Sequence, residues 1–361
     1  MRPTPTNVPL VSAEGLRAIG ACILEAAGAR PEEAQAVAGS LVGSDVRGVS
    51  SHGVIRIPDY VHAMREGRIV AGAQPVITGD HGAVVSIDGR RAFGQLAARE
   101  LAVVAGERAR LHGISLATLT NVTHIGRVGE WVELLAADGL VALAWCNCGD
   151  PGGNVVPFGG REARLGTNPM AYAIPAAGRP PVVADFSTSI VAEGKVRVYL
   201  HDGKELPEGW ILDAGGNPAT DPAALYDGGA ILPMGGHKGF ALALLVEILG
   251  GVLAGAGCPS LRESPGNGLV LVTVDPGATP GGTGFGARVA AVLDAVTSSP
   301  AVAGGSGVVV PGAPEHAARA ARAGEPFSLA AETWASLDRT AMSLGIRIQP
   351  DQPTEGAANV L

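Results

Sequence analysis

The sequence predicts an α/β protein with a helical N-terminal region, and three observations carry that prediction. Ser12–Ala27 and Pro31–Ser44 have the spacing of amphipathic helices; the second opens with proline at its first position and Glu32 and Glu33 in its first turn. From Ile114 the pattern changes to strand, loop, helix, strand. Ile114–Thr118 is the first strand, Val128–Asp138 the helix, and Leu140–Trp145 (LVALAW) a continuous apolar run of the kind buried on both faces. No strand is followed by G-x-G-x-x-G or by G-x-x-x-x-G-K-[ST]. An ordinary Rossmann domain and a P-loop nucleotide hydrolase are therefore disfavoured, and any nicotinamide cofactor must be held in another way.

The remaining elements follow in chain order. A helix is expected through Glu66, a short strand at Val84–Gly89 and a strong helix at Gln95–His112. Gly159–Pro175 reads as a turn and an alternating strand. Pro181–Asp185 is a strand that delivers Asp185 and then Ser187-Thr188-Ser189 at its carboxyl end, where α/β sheets gather ligands. Leu206–Leu232 is loop-rich, with turn-specific glycine, proline, aspartate and asparagine. Met234-Gly235-Gly236-His237-Lys238-Gly239 then leads into a long apolar helix reaching Ala256. Glycines with one lysine at a helix N-terminus suit an anion. Gly268–Val274 is a strand, Pro276–Gly286 a mobile glycine-rich loop, and Gly307–Val310 a strand ending at Pro311-Gly312. Ser328–Leu344 is a final amphipathic helix with Trp334, Leu337, Met342 and Leu344 as core contacts, and the polar tail after Gln349 is expected to be disordered. The organisation predicted is a helical region over 1–112, an α/β domain over 113–300, a C-terminal part over 301–349 that returns to the first, and a tail over 350–361.

Composition narrows the function. In 361 residues, 47% are hydrophobic, enough for a sizeable core. A net charge of −8 argues against nucleic acid or an anionic membrane as the main partner. Cys22, Cys146, Cys148 and Cys258 show neither disulfide nor zinc spacing, and are expected as buried thiols in a reducing compartment. The N-terminus lacks a signal-peptide core, and the apolar run Phe240–Ala256 is interrupted by Glu247 and glycines, which favours a buried helix over a membrane span. Scattered histidines without paired-ligand spacing predict no metal. A cytoplasmic protein is the expectation.

The chemistry concentrates in Arg47–Tyr60, RGVSSHGVIRIPDY. His52, Arg56 and Tyr60 stand four residues apart, a spacing that shares one face if the segment is helical, although Pro58 removes a backbone donor and disturbs that geometry. An imidazole beside a guanidinium suits a small 2-oxo acid: His52 supplies a proton and Arg56 clamps the carboxylate. Taken alone, such a pair is more often a solvated helix face, and Ser51 could be no more than an N-cap. His124, in a polar loop between strand and helix, and Asp185, at a strand end, are further candidates. Each has a bland alternative, a surface histidine and a helix cap.

Read together, these blocks resemble the malate/L-lactate dehydrogenases of the second type, a family that includes ureidoglycolate, sulfolactate and diketogulonate enzymes and Δ1-piperideine-2-carboxylate reductases. The resemblance covers roughly residues 10 to 345 and rests on SSHGVIRIPDY, THIG, GTNPMAYAIP, DFSTS with EGK, PEGWILDAGGNPATDP and LPMGGHKGF, in that order. It implies a non-Rossmann NAD(P)-binding mixed-sheet fold, a homodimer, and NAD- or NADP-dependent oxidoreduction at the 2-position of a small acid. It makes His52 the proton donor and acceptor, with His124 a competitor for that role, and Asp185 an acid at the nicotinamide end. Substrate contacts are expected from Arg56, Tyr60 and Thr167. Cofactor contacts are expected from Cys148, Asp185, Phe186, Ser187, Thr188, Ser189, His237 and Lys238, and from Pro311 and Gly312. The departures are THIG itself, where relatives often have serine before the histidine and an aromatic after it, Cys148 in place of serine, and His237 in place of tyrosine. A cyclic imine reductase is the nearest alternative activity, and a catalytically silent metabolite-binding relative the remote one.

Overall fold

The structure, a computed structural model, describes residues 9–148, 151–263 and 266–350. Its frame is a seven-stranded mixed sheet. In chain order the strands are β1 (Leu10–Val11), β2 (Val76–Asp80), β3 (Val84–Asp88), β4 (Ile114–Val122), β5 (Val141–Asn147), β6 (Met170–Ile174), β7 (Val182–Phe186), β8 (Ile211–Leu212), β9 (Pro218–Ala219), β10 (Ala230–Ile231), β11 (Asn267–Val274) and β12 (Phe327–Ser328). The helices are α1 (Ala13–Ala26), α2 (Pro31–Val46), α3 (Ile57–Arg65), α4 (Gly94–His112), α5 (Val128–Ala137), α6 (Glu193–Asp202), α7 (Ala223–Tyr226), α8 (His237–Val246), α9 (Phe285–Thr297), α10 (Ala313–Ala321) and α11 (Ala331–Ser343). The large sheet runs β2-β3-β4-β11-β5-β6-β7. Only β3 and β4 pair in parallel within it; the other neighbours are antiparallel. This is a mixed sheet outside the doubly wound parallel pattern, as the missing glycine fingerprint implied.

Two apolar cores explain where the chemistry sits. One joins the sheet to α4 and α5 through Leu101, Leu119, Trp131, Leu135 and Leu269. The other joins α1, α2 and α3 to the C-terminal segment through Leu16, Leu41, Ile57, Phe327 and Leu337. The antiparallel pair β1–β12 closes this second core and ties Leu10–Val11 to Phe327–Ser328. The loop from β4 into α5 lies where the two cores meet.

Several local expectations are corrected. Arg47–Tyr60 is not one helix: Ser50–His52 and Val54–Arg56 form separate 3-10 turns, and α3 starts only at Ile57 with Pro58 in its first turn. His52, Arg56 and Tyr60 therefore do not share a helical face. Gly307–Val310 forms no strand, while Ala313–Ala321 forms an unanticipated helix with proline in its first turn. Pro276–Gly286 begins as a 3-10 turn and ends in the start of α9. Leu206–Leu232 contains a three-stranded sheet, β10-β8-β9. The apolar run after Phe240 leaves α8 for a π-helical segment at Glu247–Leu253. Within α11, Leu337 is buried but Met342 is exposed. Of the cysteines, Cys146 and Cys258 are buried and Cys22 and Cys148 half-buried, all four unpaired. Among the described residues no helix is long and apolar enough to cross a membrane, and no metal-binding group of His, Cys, Asp and Glu occurs. The tail after 350 lies outside the described residues.

Candidate active site

His52 is held by a buried carboxylate behind it. Asp45, near the end of α2, accepts the Val54 backbone N–H at 2.8 Å and fixes the junction of the two 3-10 turns. A Cβ on Gly53 would overlap that carboxylate, so the glycine of SHG is required by close approach. Burial raises Asp45 to about 7, against the lowering effects of the Val54 N–H and Arg322. The Ser51 hydroxyl lies 3.0 Å from His52 Nδ1. Arg56 donates from Nε to the Ser51 carbonyl at 2.8 Å, and its Nη1 lies 3.3 Å from the exposed Asp59 carboxylate. The two backbone turns thus orient imidazole and guanidinium together, without a shared helix.

His52 and His124 stack with ring centroids 5.3 Å apart. Burial lowers His52 to about 4, assisted by Arg56 and Arg127. His124 is pushed well below its ordinary value by burial first, then by His52 and Arg56. Both rings are neutral at physiological pH in this environment.

The proton on His124 can be assigned. The Gly126 N–H donates to His124 Nδ1 at 3.3 Å, which requires that nitrogen to be unprotonated. Tyr60 Oη lies 2.7 Å from the same nitrogen and therefore donates to it. Its single proton being used, Tyr60 accepts from Gln95 Nε2 at 2.6 Å. Gln95 Oε1 is left without a partner, consistent with that orientation. The neutral His124 ring thus carries its proton on Nε2. Tyr60 is buried behind His124, so its hydroxyl serves the ring and is not open to a ligand.

The second group gathers around the start of α5. Asp185 Oδ2 accepts the Gly129 N–H at 2.7 Å and lies 3.9 Å from Arg127 Nη1. Asp185 does cap a helix, but the earlier one that begins at Val128 rather than the one that follows it. A Cβ on Gly129 would crowd both Arg127 and Asp185. Burial raises Asp185 above the usual carboxylate range, opposed by Arg127 and the Gly129 amide. Arg127 also pairs with Glu133, which Arg47 approaches at 3.3 Å. Arg127 influences both His52 and Asp185, and so links the two groups.

A third group is assembled by loop-to-loop bonds. Cys148 Sγ lies 3.2 Å from Thr167 Oγ1, and the Cys148 N–H donates to Asn168 Oδ1 at 3.3 Å. The Thr188 N–H donates to the Thr167 carbonyl, and the Met234 N–H to the Thr188 carbonyl, each at 3.0 Å. This joins the GTNP, DFSTS and MGGHKG segments ahead of His237 and Lys238. Thr188 and Ser189 are buried with their hydroxyls bonded to the chain itself, so they support the segment; Asp185, Phe186 and Ser187 remain half-buried. His237 packs edge-on to Phe158 at 5.9 Å. The Pro311 carbonyl accepts the Val183 N–H at 3.1 Å, and Gly312, in a left-handed conformation, starts α10 against the same strand.

The profile of the malate/L-lactate dehydrogenases matches residues 11–338. The chain belongs to this family. It is 36% identical over 345 residues to an L-lactate dehydrogenase of Cupriavidus necator, covering 94% of this chain and 99% of that protein. The solved structure of a sulfolactate dehydrogenase from Methanocaldococcus jannaschii aligns with a TM-score of 0.85 at 28% identity, covering 94% of this chain and 98% of the other. A Δ1-piperideine-2-carboxylate reductase from Pseudomonas syringae aligns with a TM-score of 0.81 at 31% identity, covering 92% and 100%. The fold is therefore that of the malate/L-lactate dehydrogenase family, and the chain is an oxidoreductase.

Sequence reasoning missed four residues of these groups. Gln95 was read only as the first residue of a helix, and Arg127 as nothing at all. A lone arginine directly ahead of a mostly apolar helix, RVGEWV, was the available signal. Asn168 is buried with a positive φ of 40°, donating to the Ala243 carbonyl and to Glu247 Oε2. Glu247, the one acid in the apolar run, also accepts from the Ser260 hydroxyl at 2.7 Å. That interruption was visible but was used only to argue against a membrane span.

Proposed function

We propose that this protein transfers hydride between NAD(P)H and the 2-position of a small 2-oxo or 2-hydroxy acid. The observation that carries this reading is the pair of neutral, stacked histidines beside Arg56, whose charged influences among the described residues are Arg56 and Arg127. Bound nicotinamide supplies the hydride. Arg56, its fork oriented by the Ser51 carbonyl, holds the substrate carboxylate. His124, fixed as the Nε2–H tautomer, donates a hydrogen bond to the carbonyl oxygen, and His52 carries the proton. In the oxidative direction neutral His52 accepts the hydroxyl proton, available down to about pH 4. In the reductive direction the bound carboxylate offsets Arg56 and raises His52 toward protonation.

The residues fit a dinucleotide. The opening amides of α8 and Lys238 offer an anion cradle, and Asp185 with Ser187 offers acceptors and a hydroxyl on the adjoining segment. Either NAD or NADP is accommodated by this reading. A homodimer is part of it, supported by an exposed apolar stripe of Leu244, Leu245, Ile248, Val252 and Leu253 along α8 and the turn after it. Light scattering after size exclusion checks that state.

One observation favours a second reading, reduction of a cyclic 2-imino acid. A histidine held near 4 is a weak acid reservoir, whereas an imine nitrogen brings its own proton. Following reduced-cofactor absorbance with both cofactors, against pyruvate, malate-type and cyclic imino acids from pH 5 to 9, tests both. Oxo-acid reduction that declines with rising pH supports the first reading. Turnover confined to imino acids supports the second, and oxidation of the cofactor by neither class rejects both.

A further inference from the structure

A cavity of about 540 Å³ lies between α1, α2, α4, α5 and α10. Arg17, Arg47, Arg99, Arg127, Arg319 and His316 line it, against two acids, Glu130 and Glu133. Such a surplus of cations is notable in a chain of net charge −8. The two acids are already engaged: Glu130 accepts the Ser40 hydroxyl at 2.6 Å, and Glu133 faces Arg127, Arg47 and, at 3.9 Å, His316. Arg17, Arg99 and Arg319 have no carboxylate partner among the described residues. Arg47 Nε and His316 Nε2 are buried and lack any hydrogen-bond acceptor. Arg127 and Arg319 stand close enough to repel Arg47. Crowded guanidinium groups are costly until an anion offsets their mutual repulsion.

We propose that this cavity binds a phosphate-bearing anion, gripped by Arg47, Arg99 and Arg319. A phosphoryl group concentrates up to two charges and three acceptor oxygens on one centre, which several guanidinium forks can share; a lone carboxylate engages one. The volume suits a ligand of nucleotide or pyrophosphate size. Arg127 and Gln95 are walls of this cavity as well as members of the histidine and aspartate groups. The phosphate belongs either to the adenosine end of the cofactor or to a free phosphorylated metabolite. The assignment stands independently of which acid is reduced.

Calorimetry on the full-length protein with inorganic pyrophosphate and with adenosine 2′,5′-bisphosphate tests it. Both probes are expected to bind, and Arg99→Ala and Arg319→Ala, each at an exposed side chain, to weaken them about tenfold or more, as loss of a charge-assisted contact does. Displacement of bound NADPH by pyrophosphate, read by cofactor fluorescence, assigns the phosphate to the cofactor. Simultaneous binding assigns it to a separate metabolite. Absence of binding by both probes, or affinity unchanged in both variants, overturns the proposal. Anion binding that persists in a protein with no oxidoreductase turnover would strike the proposed reaction and leave the cavity assignment standing.

Discussion

The histidine group and the aspartate group contain similar residues in similar burial, yet they are electrically unlike. Around Asp185, every charge has a neighbour of opposite sign: Arg127 serves Asp185 and Glu133, and Arg47 serves Glu133 again. Around His52 and His124, the nearby charges are Arg56 and Arg127, and the one carboxylate on Arg56 belongs to exposed Asp59. Carboxylates that each have a cation can serve as a frame. An uncompensated cationic group holds its titratable members neutral and is completed by an anionic ligand. On the proposed reaction, the contrast assigns the chemistry to the histidine group and the positioning to the aspartate group.

Removing the imidazole should produce the largest effect on this contrast. His52→Ala is expected to lower kcat by ~10²–10⁴-fold, while fluorescence titration shows NAD(P)H binding nearly intact. Unchanged turnover would move proton transfer elsewhere. Arg56→Ala is expected to raise KM for carboxylate substrates by about 10–100-fold, the loss of a charged hydrogen bond. Equal losses for neutral carbonyl compounds would show that the guanidinium does not clamp a carboxylate.

Tyr60→Phe should act more gently, through His124 alone. Loss of one hydrogen bond predicts a roughly 3–10-fold fall in kcat. Nitrogen NMR should show a mixture of His124 tautomers where the native protein shows Nε2–H alone. A native spectrum already mixed would remove the Tyr60–Gln95 lock. The smallest effect is one of stability. Asp45, raised to about 7, favours its protonated form in the folded state, so its contribution is full below the unfolded value and lost as pH rises through about 7. Asp45→Asn, neutral at all pH, should therefore gain Tm relative to the native protein between pH 5 and pH 8. A difference independent of pH would show that Asp45 does not titrate there.

Much of the frame was legible because it depends on local periodicity. β5, β7, β11, α1, α2, α4 and α5 lie within a few residues of where apolar spacing put them. The failures have a common cause. Gly307–Val310 looks like a strand, but its neighbours supply no ladder, and α10 is held by a strand far away in sequence. The site was legible as residue types in blocks and illegible as roles. Tyr60 was expected to meet substrate and instead fixes a histidine, since its partners Gln95 and His124 come from different elements. Thr188, expected at the cofactor, is buried under Thr167 and Asn168 for the same reason.

By itself the sequence determined the α/β class, the family and the presence of an imidazole and a guanidinium four residues apart, because each is encoded in contiguous residues. Tertiary structure alone decided that His124 stacks on His52, that Asp185 caps α5, and that arginines on or at the ends of α1, α2, α4, α5 and α10 crowd one cavity. Electrostatics depends on distance through space, and residues from five helices acquire a common field only when packing brings them together.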